Sequence, residues 1–457
     1  MSGRKAGSGP RGRPRSLPVV ALAALVVLAG CAQFVPSLDP GSGSRADPGG
    51  TIGVEDGYAA TDPIAVTPDD GFNRSERRAV LARTKARVEA IRGLEFTEVV
   101  SLRVISRAEY RNRSSERGGG TEAYRAWNNQ VWEALFIVDE GTDVGEAFES
   151  AFGVAVLGFY ADGEIVIVSD SETPTIDTRT LTHELVHALQ GERGWLRSTR
   201  ATQDGRLARS GLVEGDANYV ETRYEERCGV EWTCLERPSR QGRAGEFNRG
   251  LLLTMLAPYV EGPDLVGSLR RRGWDAVDRA YGRLPETTEQ VIHPEKYPDE
   301  EPVRVTVADR SAAEWRRFDV DPAADRVGEA SIYAMFWANG VTGDHPQYRY
   351  DHPLSTGWDG DAVVPYTNGS AAGYVWRTVW DTERDAREFV DGYHELLRSH
   401  DATREGAVWV VPESDPYTDA FRVTRDGRTV TIVNAPTVGA LADVHAPASS
   451  VSTGPGC

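Results

Sequence analysis

Residues 181–191 read LTHELVHALQG, and the meaning of this stretch decides the fold. His183 and His187 stand four apart, with Glu184 between them. Positions four apart share one face of an α-helix, so both rings are predicted to aim at one point. Leu181, Leu185, Val186 and Leu189 supply the apolar positions that would anchor such a helix in a core. Neutral imidazole is a good zinc ligand. Glu184, offset from both ligands, is placed to reach water at the metal. H-E-x-x-H on a helix therefore offers two ligands and a base, against the plainer alternative of a helix with two unrelated histidines.

Two histidines need at least one more protein ligand. A third histidine in H-E-x-x-H-x-x-G-x-x-H is absent, because Gly191, Glu192 and Arg193 follow instead, which removes the metzincin pattern. The best downstream carboxylate is Glu214, in GLVEGDANYVE, with Asp216 and Glu221 as weaker alternatives. Gly211, Gly215 and Ala217 flank it. Small residues let two ligand-bearing helices approach closely.

The chain has 457 residues and a net charge of −18, the wrong sign for a nucleic-acid partner. Three lysines (Lys5, Lys85, Lys296) stand among 51 basic residues, which together with the acidity points to a halophile. A GC-rich genome, favouring arginine codons, is the alternative. RKAGSGPRGRPR and then SLPVVALAALVVLAGC read as the basic and apolar regions of a signal peptide. LAGC resembles a lipobox, which implies lipidation at Cys31 and a membrane-tethered protein outside the cell. Residues 1–31 are thus expected to be the signal peptide. Residues 32–72, rich in Gly, Pro, Ser and Asp, are expected to be a flexible stalk. In an exported protein Cys228 and Cys234 (CGVEWTC) read as a small-loop disulfide; their gap is wider than usual for a zinc knuckle. Sequons occur at Asn73, Asn112 and Asn368.

Between the ends, a helix is predicted from about Ser75 to Gly93, then a strand in EFTEVVSLRVISR and a helix in TEAYRAWNNQVWEALF. VAVLGFYADGEIVIVSD predicts a hairpin immediately before the histidine helix. Residues 207–227 read as a helix, followed by helices in GEFNRGLLLTMLAPYVEG and DLVGSLRRRGWDAVDRAYG. GEASIYAMFWANG reads as a buried helix, HELLRSH as an ordinary helix end, and FRVTRDGRTVTIV as a late hairpin. The expected fold class is α+β: a core over residues 73–298, a mixed α+β region over 299–446 whose role is open, and a frayed tail at 447–457. Whether the two units share one core is left open. The repeated βα alternation of a two-lobed solute-binding protein is not seen.

HELVH followed 27 positions later by Glu214 resembles a gluzincin zinc metallopeptidase. The resemblance covers about residues 95–298, including GFYADGEIVIV, THELVHALQ, LVEGDANYVE and LPETTEQVIHPEKY. The full chain also resembles haloarchaeal surface lipoproteins carrying this core. What the resemblance implies is a zincin-like α+β core, one Zn²⁺ and hydrolysis of a peptide or protein substrate. It assigns His183, His187 and Glu214 as ligands and Glu184 as catalytic base. Gluzincins often carry an Asp four residues after the ligand Glu; here Asn218 stands there, and its carbonyl is expected to orient a ligand histidine without charge. For the donor that would hold the oxyanion, His293 is the first choice, with Tyr219, Tyr224 and Tyr259 behind it. The alternative function is a non-catalytic surface module with the same fold.

Overall fold

The computed structural model describes residues 50–447, apart from 68–69, 116–119, 153–155, 162, 172 and 238–247. Cys31, the signal peptide and Cys457 lie outside the described residues.

The first elements are a hairpin, β1 (Val54–Glu55) and β2 (Tyr58–Ala59), and helix α1 (Arg74–Arg92). The hairpin falls inside the expected flexible stalk, yet it is docked on α1. Lys85 Nζ meets the buried Glu55 at 2.7 Å, Arg87 Nε donates to the Ala60 carbonyl, and Glu89 accepts from Gly53 N. These polar anchors come from α1 and are invisible to local composition. Asn73 caps α1, its Oδ1 accepting from Ser75 N and Glu76 N, and Gly93 ends it at φ 72°.

Next come β3 (Ser101–Ile105), α2 (Arg107–Ser115), α3 (Glu122–Glu133), α4 (Val144–Phe152), β4 (Gly158–Ala161) and β5 (Glu164–Val168). The three strands form a sheet in the order β3-β5-β4, with β3 parallel and β4 antiparallel to β5. The hairpin predicted before the histidine helix is therefore present. Helix α5 (Thr178–Glu192) follows, capped by Asp177, and then α6 (Gln203–Arg227), capped by Thr202. Ile165 and Ile167 of β5 pack with Leu181, Leu185, Val186 and Leu189 of α5 in one buried cluster, joined by Val80, Val88 and Ile91 of α1. The apolar positions around the two histidines thus root α5 between a sheet and two helices. Cys228 and Cys234 are joined by a disulfide just past the end of α6.

Helix α7 (Arg249–Arg270) runs unbroken through Pro258 and Pro263, where two helical segments were expected; α8 (Trp274–Ala280) and α9 (Thr288–Ile292) follow. Proline removes the bond to the carbonyl four residues back. For Pro263 that carbonyl is Tyr259, and Asn218 Nδ2 of α6 donates to it at 3.0 Å. Tertiary packing supplies the lost donor and the helix continues.

The remainder comprises β6 (Arg316–Arg317), α10 (Gly328–Ala338), β7 (Trp358–Thr367), β8 (Ala372–Trp380), α11 (Glu383–Ser399), β9 (Thr403–Glu405), β10 (Val408–Val410), β11 (Ala420–Asp426), β12 (Thr429–Ala435) and α12 (Leu441–Val444). The strands make a seven-stranded antiparallel sheet in the order β6-β7-β8-β12-β11-β10-β9. The late hairpin is β11–β12, paired from Ala420↔Ala435 to Asp426↔Thr429. The expected division near residue 298 does not divide the core. Trp127, Leu135, Leu251 and Ala257 share a buried cluster with Phe336, Trp376, Phe389 and Tyr393. Helices α3 and α7 therefore belong to both halves.

Candidate metal centre

Helices α5 and α6 bring His183, His187 and Glu214 to one point. His183 Nε2 lies 3.0 Å from His187 Nε2 and 3.2 Å from Glu214 Oε2, and His187 Nε2 lies 3.3 Å from the same oxygen. Ligand atoms at about 2.0–2.1 Å from one tetrahedral zinc ion stand about 3.3–3.4 Å apart, so this triangle is close to one face of a zinc coordination sphere. Three lone-pair-bearing atoms facing one another need a positive charge between them, either a proton or a cation. The residues present fit a divalent metal.

The glycines near Glu214, expected to let the two ligand-bearing helices approach each other, face other elements: Gly211 meets Val291 of α9 and Gly215 meets Gly262 of α7. A Cβ on Gly215 would stand 2.8 Å from Gly262 Cα, and one on Gly262 would stand 2.9 Å from Gly215 Cα. Real Cβ atoms do not approach so closely. Gly215 adjoins Glu214, so the α6–α7 crossing is set beside that carboxylate.

All four site side chains are buried, at 0% exposed for His183 and Glu184, 1% for His187 and 3% for Glu214. Neither carboxylate oxygen of Glu184 has a hydrogen-bond partner among the described residues. Burial raises the Glu184 pKa, with the two histidines opposing. Burial would lower the His183 imidazolium, but Glu214 and Glu221 outweigh it and raise the pKa to about 10. Burial would raise Glu214, yet the two rings hold it down at about 2. The trio is thus an electrostatic unit in which the carboxylate remains charged, the state a cation requires.

The orienting contacts differ from those expected. Asn218 Nδ2 donates to the Tyr259 carbonyl, and among the described residues Asn218 hydrogen-bonds neither histidine: His187 Nδ1 is paired with Gln190, and His183 Nδ1 has no hydrogen-bond partner. Instead Glu221 Oε2 lies 3.4 Å from His183 Nδ1 and is itself bound by Arg179. Gln190 Oε1 lies 2.8 Å from His187 Nδ1. Glu221, weighed as a ligand, sits two turns along α6 from Glu214 on the same face. Asp216, the other alternative, is bound by Arg92 at 3.0 Å and by the Tyr281 hydroxyl at 2.9 Å. Gln190 was missed, although the three-residue step from His187 places it one turn on along the same face.

His293 ends α9, and its Nε2 lies 3.0 Å from Glu329 Oε1 of α10. Burial would lower its pKa, but Glu329 outweighs it and raises the value to about 9. Among the described residues its hydrogen bonds go to Glu329 and to backbone, none to the trio, so the expected oxyanion donor is engaged elsewhere. Sequence could not foresee this, since Glu329 lies 36 residues on. Tyr219 packs edge-on to Trp274, and the Tyr224 hydroxyl accepts from Arg87 at 3.1 Å. Tyr259 alone of the three tyrosines stands against the site, its ring 6.3 Å from that of His183 and nearly parallel to it.

Two other acidic groups come together among the described residues. Glu289, Glu300 and Asp381 converge on Lys296 Nζ at 2.6, 2.8 and 3.1 Å, so an ammonium already occupies their centre. Glu133, Glu140 and Asp419 gather near β11. The two histidines and Glu214 remain the group with the donor set of a zinc site.

Residues 316–445 match a family described as a domain of unknown function (DUF8575). That span begins at β6 and closes just beyond α12, so it coincides with the seven-stranded sheet and its helices. It does not include α5 or α6. No curated protein and no solved structure matches the chain.

Proposed function

We propose that the chain is a zinc-dependent peptidase with a zincin-like core, exported and held at the outer face of the cell membrane through a lipid on Cys31. The observation that carries the catalytic part is the pairing of three convergent ligand atoms with a buried carboxylate, Glu184, that has no hydrogen-bond partner among the described residues. A purely structural zinc site is closed by four protein ligands and has no use for a free base beside it. Export and anchoring rest on the N-terminal sequence. Among the described residues no helix is long and apolar enough to cross a membrane.

Zinc bound to His183, His187 and Glu214 would supply Lewis acidity towards a scissile carbonyl and towards water. Glu184 takes a proton from the attacking water and returns it to the leaving amine. Gln190 holds the His187 ring from behind by a hydrogen bond, and the Glu221 carboxylate faces Nδ1 of His183 as an ion partner at 3.4 Å. Tyr259, whose ring lies alongside that of His183, takes the place of His293 as the candidate to hold the oxyanion.

One observation favours the alternative of a non-catalytic module: the burial of the trio and of Glu184, since a substrate must reach them. The deciding experiment is metal analysis and cleavage of casein or short peptides in high salt, comparing wild type with Glu184→Gln. Peptidase function predicts one zinc in each and cleavage by wild type alone. One zinc in each and cleavage by neither gives the module reading.

A further inference from the structure

Gln190 joins the two ligand-bearing helices through a single amide. Its Oε1 lies 2.8 Å from His187 Nδ1 on α5. Its Nε2 donates to the Val213 carbonyl of α6 at 2.9 Å and to the Tyr281 hydroxyl oxygen at 2.9 Å. Gln190 is fully buried, so water does not compete for these bonds.

The orientation of this amide follows from its partners. A backbone carbonyl can only accept, so the nitrogen of Gln190 must face Val213. Asp216, bound by the Arg92 guanidinium at 3.0 and 3.2 Å, also accepts, so the Tyr281 hydroxyl donates to it. The Tyr281 oxygen is then left to accept from Gln190. Both requirements turn Gln190 Oε1 towards His187. An acceptor there requires a proton on His187 Nδ1, so that in the neutral ring a metal accepts the lone pair is on Nε2, on the side of His183 and Glu214.

We infer that Gln190 is a positioning residue for the metal: it selects the ligating tautomer of His187, while its bonds to Val213 and Tyr281 fix the amide's orientation and brace α5 against α6. The inference rests on the trio being metal ligands, not on peptide cleavage, so a failure to cleave leaves it standing.

The test is zinc affinity of the full-length chain in high salt, measured by chelator competition, with unfolding midpoints recorded alongside. Gln190→Leu removes both ends of the link and should weaken zinc binding by about 10–100-fold. Gln190→Glu keeps an acceptor for His187 Nδ1 but loses the donors to Val213 and Tyr281. It should lower the unfolding midpoint while holding zinc affinity within about threefold of wild type. Affinity and stability then move apart, which a merely structural residue would not produce. Zinc binding by Gln190→Leu within about threefold of wild type overturns the inference. So does binding by Gln190→Glu that falls as far as in Gln190→Leu. If Gln190→Leu does not fold, the comparison of Gln190→Glu with wild type decides: a lowered midpoint with affinity kept supports the role, and a loss beyond about tenfold refutes it. A wild-type chain that takes up no zinc overturns the metal site and the positioning role together.

Discussion

Replacing Gly262 by alanine sets two effects against each other, and the geometry decides the sign. Gly262 lies inside α7, where alanine is favoured over glycine by about 0.8–1.0 kcal/mol. The added Cβ would overlap the Gly211 carbonyl and stand 2.9 Å from Gly215 Cα and 3.1 Å from Gly215 N. Carbon atoms are best separated by about 3.5–4.0 Å, so α6 and α7 must part by about 1 Å. The atoms met are backbone, with no flexible side chain to yield. Overpacking costs about 1–3 kcal/mol, and the upper part of that range applies here, giving a net loss of about 2 kcal/mol despite the propensity gain. Glu214 is carried by the displaced turn, so its oxygen moves off the two imidazoles and zinc affinity falls as well. Gly267 on the same helix provides the control. A Cβ there meets only Tyr219 Cε2, at 3.6 Å, which is ordinary contact. Gly267→Ala should therefore be neutral or more stable by up to about 1 kcal/mol and keep its zinc. The assays are denaturant unfolding followed by circular dichroism and chelator competition for zinc. A Gly262→Ala chain as stable as Gly267→Ala would refute the close helix crossing as the basis of the site.

Three further outcomes are expected. Glu184→Gln should bind zinc like wild type and lose cleavage by about 10²–10⁴-fold; cleavage within about tenfold of wild type would remove Glu184 as the base. Asn218→Leu leaves the Tyr259 carbonyl without its donor and should cost about 1–3 kcal/mol in unfolding free energy with zinc affinity unchanged, whereas a large loss of zinc would restore Asn218 as a partner of the histidines. Burial, with the Glu140 charge adding to it, pushes Asp419 up to about 8, so the folded chain holds that proton more tightly than the unfolded one. The stability it contributes is complete below its ordinary value of 3.8 and is lost as pH rises through about 8. Asp419→Asn escapes this loss, and its unfolding free energy should gain on wild type by a few kcal/mol between about pH 4 and pH 8; parallel pH curves would contradict the assignment.

The helical step between His183 and His187, the apolar positions around them and the small residues near Glu214 are local properties. The chain by itself therefore determined α5, its buried face and the hairpin before it. Helical period and turn chemistry act over a few residues, which is the range at which a single sequence is readable. Everything that depends on which distant segment lies alongside was decided by the tertiary structure. Asn218 has the spacing of an orienting residue, but Pro263 frees a carbonyl within its reach and claims it. His293 has the chemistry of an oxyanion donor, but Glu329 on α10 takes its ring. Gln190 looks like one more polar helix residue until Val213 and Tyr281 arrive to fix its amide. The hydrogen-bonding groups of a buried site must all be satisfied, and the partner that satisfies each one is chosen by packing between remote elements, not by its neighbours along the chain.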